Sequence, residues 1–375
     1  RYGGRQQMGK VYFDVPYDYK GLYSGRWEGI KGRPYTLANL QELGGVCKDQ
    51  AYYAVEICKA AGFPAAFCTG QSGRGEGFHA WVGYLVDRGG RAWFDFNTAR
   101  YREHEYWSAS IEDPQTQQTI TDADLGVVAE LFATPADDRL LARAMLTARD
   151  LVAEEHRVAY AQRMVGLSRG NREGWYVLAE FSRTPGTTDD QLNQIATQIK
   201  QFAVGRYDEF AMRLYATMIE GVPPAKRQAP IAEAVRLFPQ RLDLLARLAL
   251  MSGDALAAEG KAAESLRVYR DVLSRYIEFG PIVLEALDRI DDAMDADKPA
   301  PELLAIYRRV FERMKAPEPS GYAWTTPWYI VGDRYAKLLE RAGDDAGAQR
   351  MRATITAKDT SKKDPPADPK QTLAR

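Results

Sequence analysis

The chain has 375 residues, of which 45% are hydrophobic and 27% are charged. This composition is typical of globular proteins, and the length is sufficient for two domains. A net charge of −1 gives no electrostatic argument for binding nucleic acid or an acidic membrane surface, and the lack of any run of 18 apolar residues predicts no transmembrane segment.

Residues 1–34 are rich in Gly, Tyr and Arg, and residues 11–15 alternate in the manner of a short strand. The aromatic side chains of Trp27 and Tyr35 are expected either to line a cleft or to pack in the core. Because the chain begins at Arg1 rather than Met, a removed signal peptide would leave no trace. The sequence therefore assigns no compartment.

A helix is predicted from Cys47 to Ala61. Gly44 and Gly45 permit a tight turn before it, and small apolar residues recur along one stripe at steps of three and four. Cys47 then lies at the positive end of the helix dipole, which favours a thiolate and predicts a pKa below that of a free thiol. The same position also suits a buried structural thiol, which is the role predicted for Cys58.

Three strands are predicted after this helix, at 65–69, 78–86 and 91–97, and the last two form a hairpin. Side chains alternate along a strand, so His79 and Asp95 share a face only if the loop has an odd number of residues or a bulge corrects the register. A three-residue loop ending in glycine meets that condition. Asp95 would then fix the tautomer of His79, whose other ring nitrogen faces Cys47. Either residue alone also fits a structural role.

Four blocks of the sequence resemble the core of the transglutaminase-like superfamily. They are Gly-Gly-Val-Cys-Lys-Asp-Gln-Ala, Ala-Ala-Gly-Phe-Pro-Ala, His-Ala-Trp-Val and Trp-Phe-Asp-Phe-Asn-Thr, within residues 35–101. The resemblance implies an α+β domain with a papain-like site, in which Cys47 is the nucleophile, His79 the general base and Asp95 the orienting acid. The family's usual Asp-Pro-Thr is Asp-Phe-Asn-Thr here, which leaves the triad intact.

The same resemblance suggests supporting residues for the site. It implies the backbone N–H of Cys47 as an oxyanion donor, and Gln41 has the spacing of the helper glutamine of papain-like proteases. Trp81 is a further supporting candidate, which either lines a substrate channel or packs the sheet. The sequence shows no trace of the calcium sites or β-sandwich domains of animal transglutaminases.

No cofactor or metal site is predicted. The glycine-rich segment 72–77 leads into a strand rather than a helix, so it lacks the helix N-terminus of a phosphate loop and is interpreted as a mobile loop that gates the site. His104 has no second histidine at ligand spacing and is expected at the surface. The three cysteines suit one reactive thiol plus either two free thiols or a disulfide between Cys58 and Cys68.

From about Asp122 the periodicity becomes helical almost to the end of the chain. One apolar face is predicted along residues 140–152. Later helices are predicted at 190–203, 206–219, 241–251, 262–276, 281–294, 301–314 and 327–342. This region looks similar to degenerate tetratricopeptide repeats, with Gly260 and Gly343 at corresponding positions, although 83 residues separate them and the repeat length is 34.

The predicted organisation is a transglutaminase-like catalytic domain (1–125), an all-α helical-repeat domain (126–358) and a disordered tail (359–375). The predicted function is thiol-dependent acyl transfer on peptide or isopeptide-type amides, with hydrolysis favoured over transfer to an amine. The expected partners are a protein or peptide substrate and a protein on the repeat surface, without nucleic acid. The alternative is an inactive transglutaminase-like domain in an interaction scaffold, in which the helices present the binding surface.

Overall fold

The computed structural model describes residues 5–24, 32–73, 77–101, 106–113, 116–321 and 323–360. The predictions made for Trp27, for His104, for the centre of the glycine-rich segment and for the tail beyond Thr360 lie outside these residues. The predicted fold class is confirmed, because a small antiparallel sheet with helices in the N-terminal region is followed by a long series of helices.

The contacts within the chain define two compact units. One unit contains Arg1–Tyr84, Phe96–Ala109 and Leu266–Arg375, and the other contains Leu85–Asp95 and Ser110–Ser265. These divisions differ from the boundaries drawn from the sequence at residues 125 and 358. Those domain boundaries stay predictions.

The N-terminal segment is a 3₁₀ helix from Arg5 to Asp14, so the strand predicted at residues 11–15 is wrong. In a strand, residues 11, 13 and 15 would share a buried face, but here Tyr12 is fully buried and Phe13 is exposed. Within the helix, buried Gly9 and Tyr12 are three residues apart, which matches the three residues per turn of a 3₁₀ helix.

In the described N-terminal residues, three α-helices precede the first two strands of the sheet. These elements are α1 (Tyr19–Ser24), α2 (Leu37–Leu43), α3 (Cys47–Ala60), β1 (Ala65–Gln71) and β2 (Phe78–Asp87). The two strands pair antiparallel, with Cys68 opposite Trp81 and Gly70 opposite His79. A side chain at Gly70 would meet the ring of Trp81, so the glycine admits this large side chain to the sheet.

The sheet is completed by β3 (Ala92–Asp95), β4 (Ser110–Glu112) and β5 (Thr119–Thr121), in the order β3-β2-β1-β4-β5. The loop before β3 holds two residues, because Arg88 and Arg91 exchange backbone hydrogen bonds of 2.9 and 3.4 Å around Gly89 and Gly90. Both glycines have positive φ, as a two-residue hairpin turn requires. This is not the three-residue loop that was one of the two ways to bring His79 and Asp95 onto one face.

The remaining elements are helical. They are α4 (Asp122–Ala129), α5 (Ala136–Thr147), α6 (Arg157–Leu167), α7 (Arg172–Phe181), α8 (Asp189–Ala203), α9 (Asp208–Glu220), α10 (Gln228–Val235), α11 (Leu242–Ala258), α12 (Ala262–Arg275), α13 (Gly280–Met294), α14 (Pro301–Arg313), α15 (Pro327–Arg341) and α16 (Asp345–Thr356). The seven helices with predicted bounds are confirmed to within a few residues, except that α11 continues to Ala258.

The two glycines at corresponding repeat positions end helices in the same way. Gly260 follows α11 and Gly343 follows α15, both with positive φ. In each turn the next residue donates its N–H to a carbonyl five residues back, over 3.0 Å from Lys261 to Leu256 and 2.8 Å from Asp344 to Leu339. This is the Schellman arrangement, which glycine favours because it carries no Cβ.

The apolar face predicted along residues 140–152 is only partly buried. Ala142 and Met145 of α5 are buried, but Leu140 is 67% exposed and Leu151 is 88% exposed. The predicted face is not continuous, because α5 ends at Thr147 and Leu151 belongs to a separate 3₁₀ turn, Arg149–Leu151. On α5 itself, Leu140 lies outside the surface that the core covers. Among the described residues, no helix combines the length and apolarity that a membrane crossing requires.

A buried ion pair fixes the start of α4 in the second unit. The fully buried Asp124 accepts hydrogen bonds from the backbone N–H of Thr121 at 2.8 Å, from Arg213 at 2.6 Å and from the Tyr176 hydroxyl at 3.1 Å. Burial raises the pKa of the Asp124 carboxyl, but Arg213 and the hydrogen bonds from Thr121 outweigh it and hold the pKa below its usual value.

Candidate functional site

Two glycines allow the chain to reach the start of α3. Gly44 has a φ of 84°, and a Cβ there would lie 2.6 Å from the carbonyl oxygen of Pro16. A Cβ on Gly45 would lie 2.4 Å from that of Asp49. The Gly45 N–H donates to the Pro16 carbonyl at 2.9 Å, which ties the N-terminal segment to this turn. Larger residues at either position would displace the helix that carries Cys47.

Asp49 closes the first turn of α3. Its buried carboxylate accepts the backbone N–H of Val46 at 2.9 Å and the hydroxyl of Tyr35 at 2.6 Å. Tyr35 therefore packs against the helix start through a hydrogen bond, with its ring largely exposed. These contacts satisfy a backbone donor that a helix N-terminus would otherwise leave unpaired.

The Cys47 thiol is half-buried and lies against backbone N–H groups. Burial raises its pKa, while hydrogen bonds from the backbone N–H groups of Ala80, Lys48 and Cys47 itself lower the pKa and Asp49 raises it again. The net pKa is above that of an ordinary thiol, so the pKa decrease predicted from the helix dipole is wrong. Desolvation of the thiolate outweighs the N–H groups.

We expect iodoacetamide to modify Cys47 before Cys58 and Cys68, because the other two thiols are fully buried and burial raises the pKa of Cys58 to about 11. The Cys47 rate should rise with pH through a midpoint above about 8.5, since a raised pKa lowers the thiolate fraction at every pH. Site-resolved mass spectrometry between about pH 6 and pH 10 measures it, with Cys47→Ser as the blank. A midpoint well below that of a free thiol would contradict the raised pKa.

Ala80 links the Cys47 thiol to β2. Its N–H hydrogen-bonds to the Cys47 thiol, and its carbonyl accepts the hydroxyl of Tyr12 at 3.0 Å. Because Ala80 follows His79 in the chain, these contacts place Cys47 beside the strand segment that carries the candidate base. The backbone N–H of Cys47, the predicted oxyanion donor, hydrogen-bonds to the phenol oxygen of Tyr17.

His79 is buried in an aromatic setting. The centroid of its ring lies 5.9 Å from that of Trp81, 4.9 Å from Tyr101 and 5.3 Å from Tyr106. The Nε2 atom is 2.6 Å from the carbonyl oxygen of Ala99. Since a carbonyl only accepts, Nε2 carries the proton, and Nδ1 is the basic nitrogen of the neutral ring.

The loop after β3 adopts an unusual backbone. Ala99 has a φ of 59° and Tyr101 a φ of 50°, a left-handed conformation that costs roughly 1–2 kcal/mol for a residue with a Cβ. Between them, the buried Arg100 donates from Nε to the carbonyl of Tyr106 at 2.6 Å and from Nη2 to that of Trp107 at 2.5 Å. The loop is thus held against neighbouring backbone.

The other predicted site residues lie on different elements. Asp95 ends β3, and its carboxylate lies 3.5 Å from the guanidinium of Arg88. Gln41 is exposed on α2. Trp81 is fully buried, and its indole N–H has no hydrogen-bond partner among the residues that the structure describes. The roles of Asp95 and Gln41 stay predictions.

The described part of the chain contains neither a disulfide nor a metal-binding cluster. No disulfide joins Cys47, Cys58 or Cys68. Over the same residues, no group of three His, Cys, Asp or Glu side chains has an arrangement that would hold a metal ion.

These elements define a candidate cysteine-nucleophile site on an α+β fold. Residues 6–98 match the family model of the transglutaminase-like superfamily, which confirms the resemblance drawn from the motifs. This segment is less than half of the chain, and it contains Cys47, His79 and Asp95. The match supports a papain-like cysteine enzyme in general. No curated protein matches the chain.

Sequence reasoning missed several residues of the site. Tyr12, Ala99, Arg100 and Tyr106 contact Ala80, His79 or the loop beside them. Three of these contacts use a backbone carbonyl, so they require no particular motif. Only the aromatic content of residues 101–107 offered a signal.

Proposed function

We propose that the protein is a thiol-dependent acyl-transfer enzyme acting on amides of peptide or isopeptide type, with Cys47 as nucleophile and His79 as general base. The observation that supports it most is the hydrogen bond from Ala80 to the Cys47 thiol, because Ala80 adjoins His79. The match of residues 6–98 to the transglutaminase-like superfamily supports the same chemistry.

The proposed reaction has two steps. The Cys47 thiol transfers its proton to His79 as its sulfur attacks the amide carbonyl, and the carbonyl oxygen takes the N–H of Cys47 in place of the Tyr17 phenol. His79 then gives the proton to the leaving amine, which forms a thioester. Water attacks the thioester, again with His79 as base, and frees a carboxylic acid and the Cys47 thiol.

The raised pKa of Cys47 favours activation by a neighbouring base over a resting thiolate. His79 suits that task, because a neutral ring with its proton on Nε2 carries its lone pair on Nδ1. Asp95 is assigned as the acid that stabilises the imidazolium, on the basis of the family motif alone.

Hydrolysis is the favoured outcome of the thioester. A transferase must shield its thioester from water and admit an amine through an apolar channel. However, Tyr101, whose ring centroid lies 4.9 Å from that of His79, is 41% exposed. The aromatic surroundings of the buried base therefore reach solvent at Tyr101, which favours water as the acceptor.

The proposal is tested by incubating the protein with a glutamine-containing peptide library, with and without excess primary amine, and following the masses. We expect cleaved or deamidated products that disappear in Cys47→Ala. Amine adducts dominating over these products would overturn the preference for hydrolysis.

The second candidate function is an interaction scaffold with an inactive transglutaminase-like domain. The exposed apolar side chains of Leu140 and Leu151 favour it, because such residues suit contact with another protein. The absence of any Cys47-dependent product across broad libraries would support this function over catalysis.

A further inference from the structure

The hydrogen bond at His79 restricts which nitrogen can act as a base. The Ala99 carbonyl oxygen lies 2.6 Å from Nε2 and has no proton to donate. The contact therefore stabilises the ring with its proton on Nε2, and a neutral ring of this kind has its lone pair on Nδ1. A ring with the proton on Nδ1 would place two acceptors against each other at this distance.

The direction of the Ala99 carbonyl depends on a backbone conformation that is rare for residues with a Cβ. Ala99 and Tyr101 both have left-handed φ values, and only Arg100 lies between them. Two such residues so close together persist only when their surroundings hold them. Within the loop, the Arg100 N–H donates to the Asn97 carbonyl at 3.2 Å.

The Arg100 side chain supplies the restraint from outside the loop. It is buried and its guanidinium donates to the carbonyls of Tyr106 and Trp107 at 2.6 and 2.5 Å, with Cζ 5.4 Å from the ring centre of Trp81. Trp81 and Tyr106 also pack against the His79 ring. One planar cation therefore joins the loop to two aromatic neighbours of the imidazole.

We propose that Arg100 is a positioning residue, which holds the loop of residues 97–101 so that the Ala99 carbonyl fixes His79 in the tautomer with the proton on Nε2. This proposal goes beyond the thiol chemistry proposed above, and only its effect on turnover rests on that chemistry. The tautomer itself can be measured without any substrate.

The experiment uses the full chain with labelled histidine and reads the ring ¹⁵N and ¹³C shifts of neutral His79. The chain has three histidines, so His79→Gln assigns the signal. We expect the Nε2–H form in the wild type and a mixture of both tautomers in Arg100→Met. Arg91→Met, which removes an exposed arginine, should leave the wild-type signal unchanged.

Thermal unfolding of each variant distinguishes a loss of positioning from a loss of stability. If Arg100→Met does not fold, Arg100→Lys replaces it, because lysine keeps the charge but lacks the planar guanidinium. If the wild type shows Nδ1–H, or if the folded variant at position 100 keeps pure Nε2–H, the proposal is overturned. In an active enzyme kcat should fall by about 10²-fold with little change in KM, as expected when a reacting group is misplaced. If Cys47 chemistry is absent altogether, the proposed function fails while the tautomer result still decides the role of Arg100.

Discussion

His79→Gln should lower Cys47-dependent product formation by at least about 10⁴-fold, since a glutamine cannot accept the thiol proton or return it to the leaving amine. The Cys47 thiol has a raised pKa, so the variant would begin from a thiol that is largely protonated at neutral pH. The measurement is the initial rate of cleavage or deamidation of the best library peptide, with Cys47→Ala defining the background.

The matched control is His156→Gln, which alters an exposed histidine in the helical region. It should retain wild-type activity. Asp95→Asn, in the same series, should lower activity by up to about 10⁴-fold if the carboxylate stabilises the imidazolium as it does in serine-protease triads. Equal activity of His79→Gln and His156→Gln would remove His79 from the mechanism.

Arg213→Met should destabilise the second unit by about 3 kcal/mol. The substitution leaves the Asp124 carboxylate buried without its cation, and breaking such a pair costs roughly 3–5 kcal/mol. The low end applies because the Arg213 side chain is 37% exposed, so solvent screens part of its charge. Urea unfolding at pH 7 measures the difference, and Arg143→Met, on an exposed arginine of α5, is the control.

The pH dependence follows from the depressed pKa of Asp124. A carboxyl whose folded pKa lies below its unfolded value of about 3.9 contributes stability above that value and loses the contribution as the pH falls through the folded pKa. The stability difference between wild type and Arg213→Met should therefore shrink in acid. A difference that stays constant down to about pH 2 would show that the lost arginine acts through packing instead.

The helices were largely predictable because their ends are marked. Pro301 and Pro327 begin α14 and α15, and Gly260 and Gly343 follow the ends of α11 and α15. The short N-terminal segment was not predictable in the same way, because five residues of apolar alternation fit a strand and a 3₁₀ turn equally well. Contacts of Tyr12 with β2, which local sequence does not reveal, decide between them.

The candidate site could be predicted only where its residues carry motifs. Cys47, His79 and Asp95 occur in blocks with family spacing, whereas the Ala99 carbonyl could belong to any residue. The thiol pKa was mispredicted for a related reason. The helix N-terminus is visible in the sequence, but the burial of Cys47, which has the larger effect, depends on the packing around Tyr12, Tyr17 and β2.

Two acidic side chains, those of Cys47 and Asp49, lie at the positive end of α3. The Asp49 carboxylate accepts the Val46 N–H and disfavours ionisation of Cys47, which needs the same positive end of the helix. Capping of the helix by Asp49 and ionisation of Cys47 therefore oppose each other, while burial remains the larger cause of the raised pKa of Cys47. Replacing Asp49 is one way to lower the pKa of Cys47 without changing the proposed triad, but the replacement also removes the carboxylate that caps the start of α3.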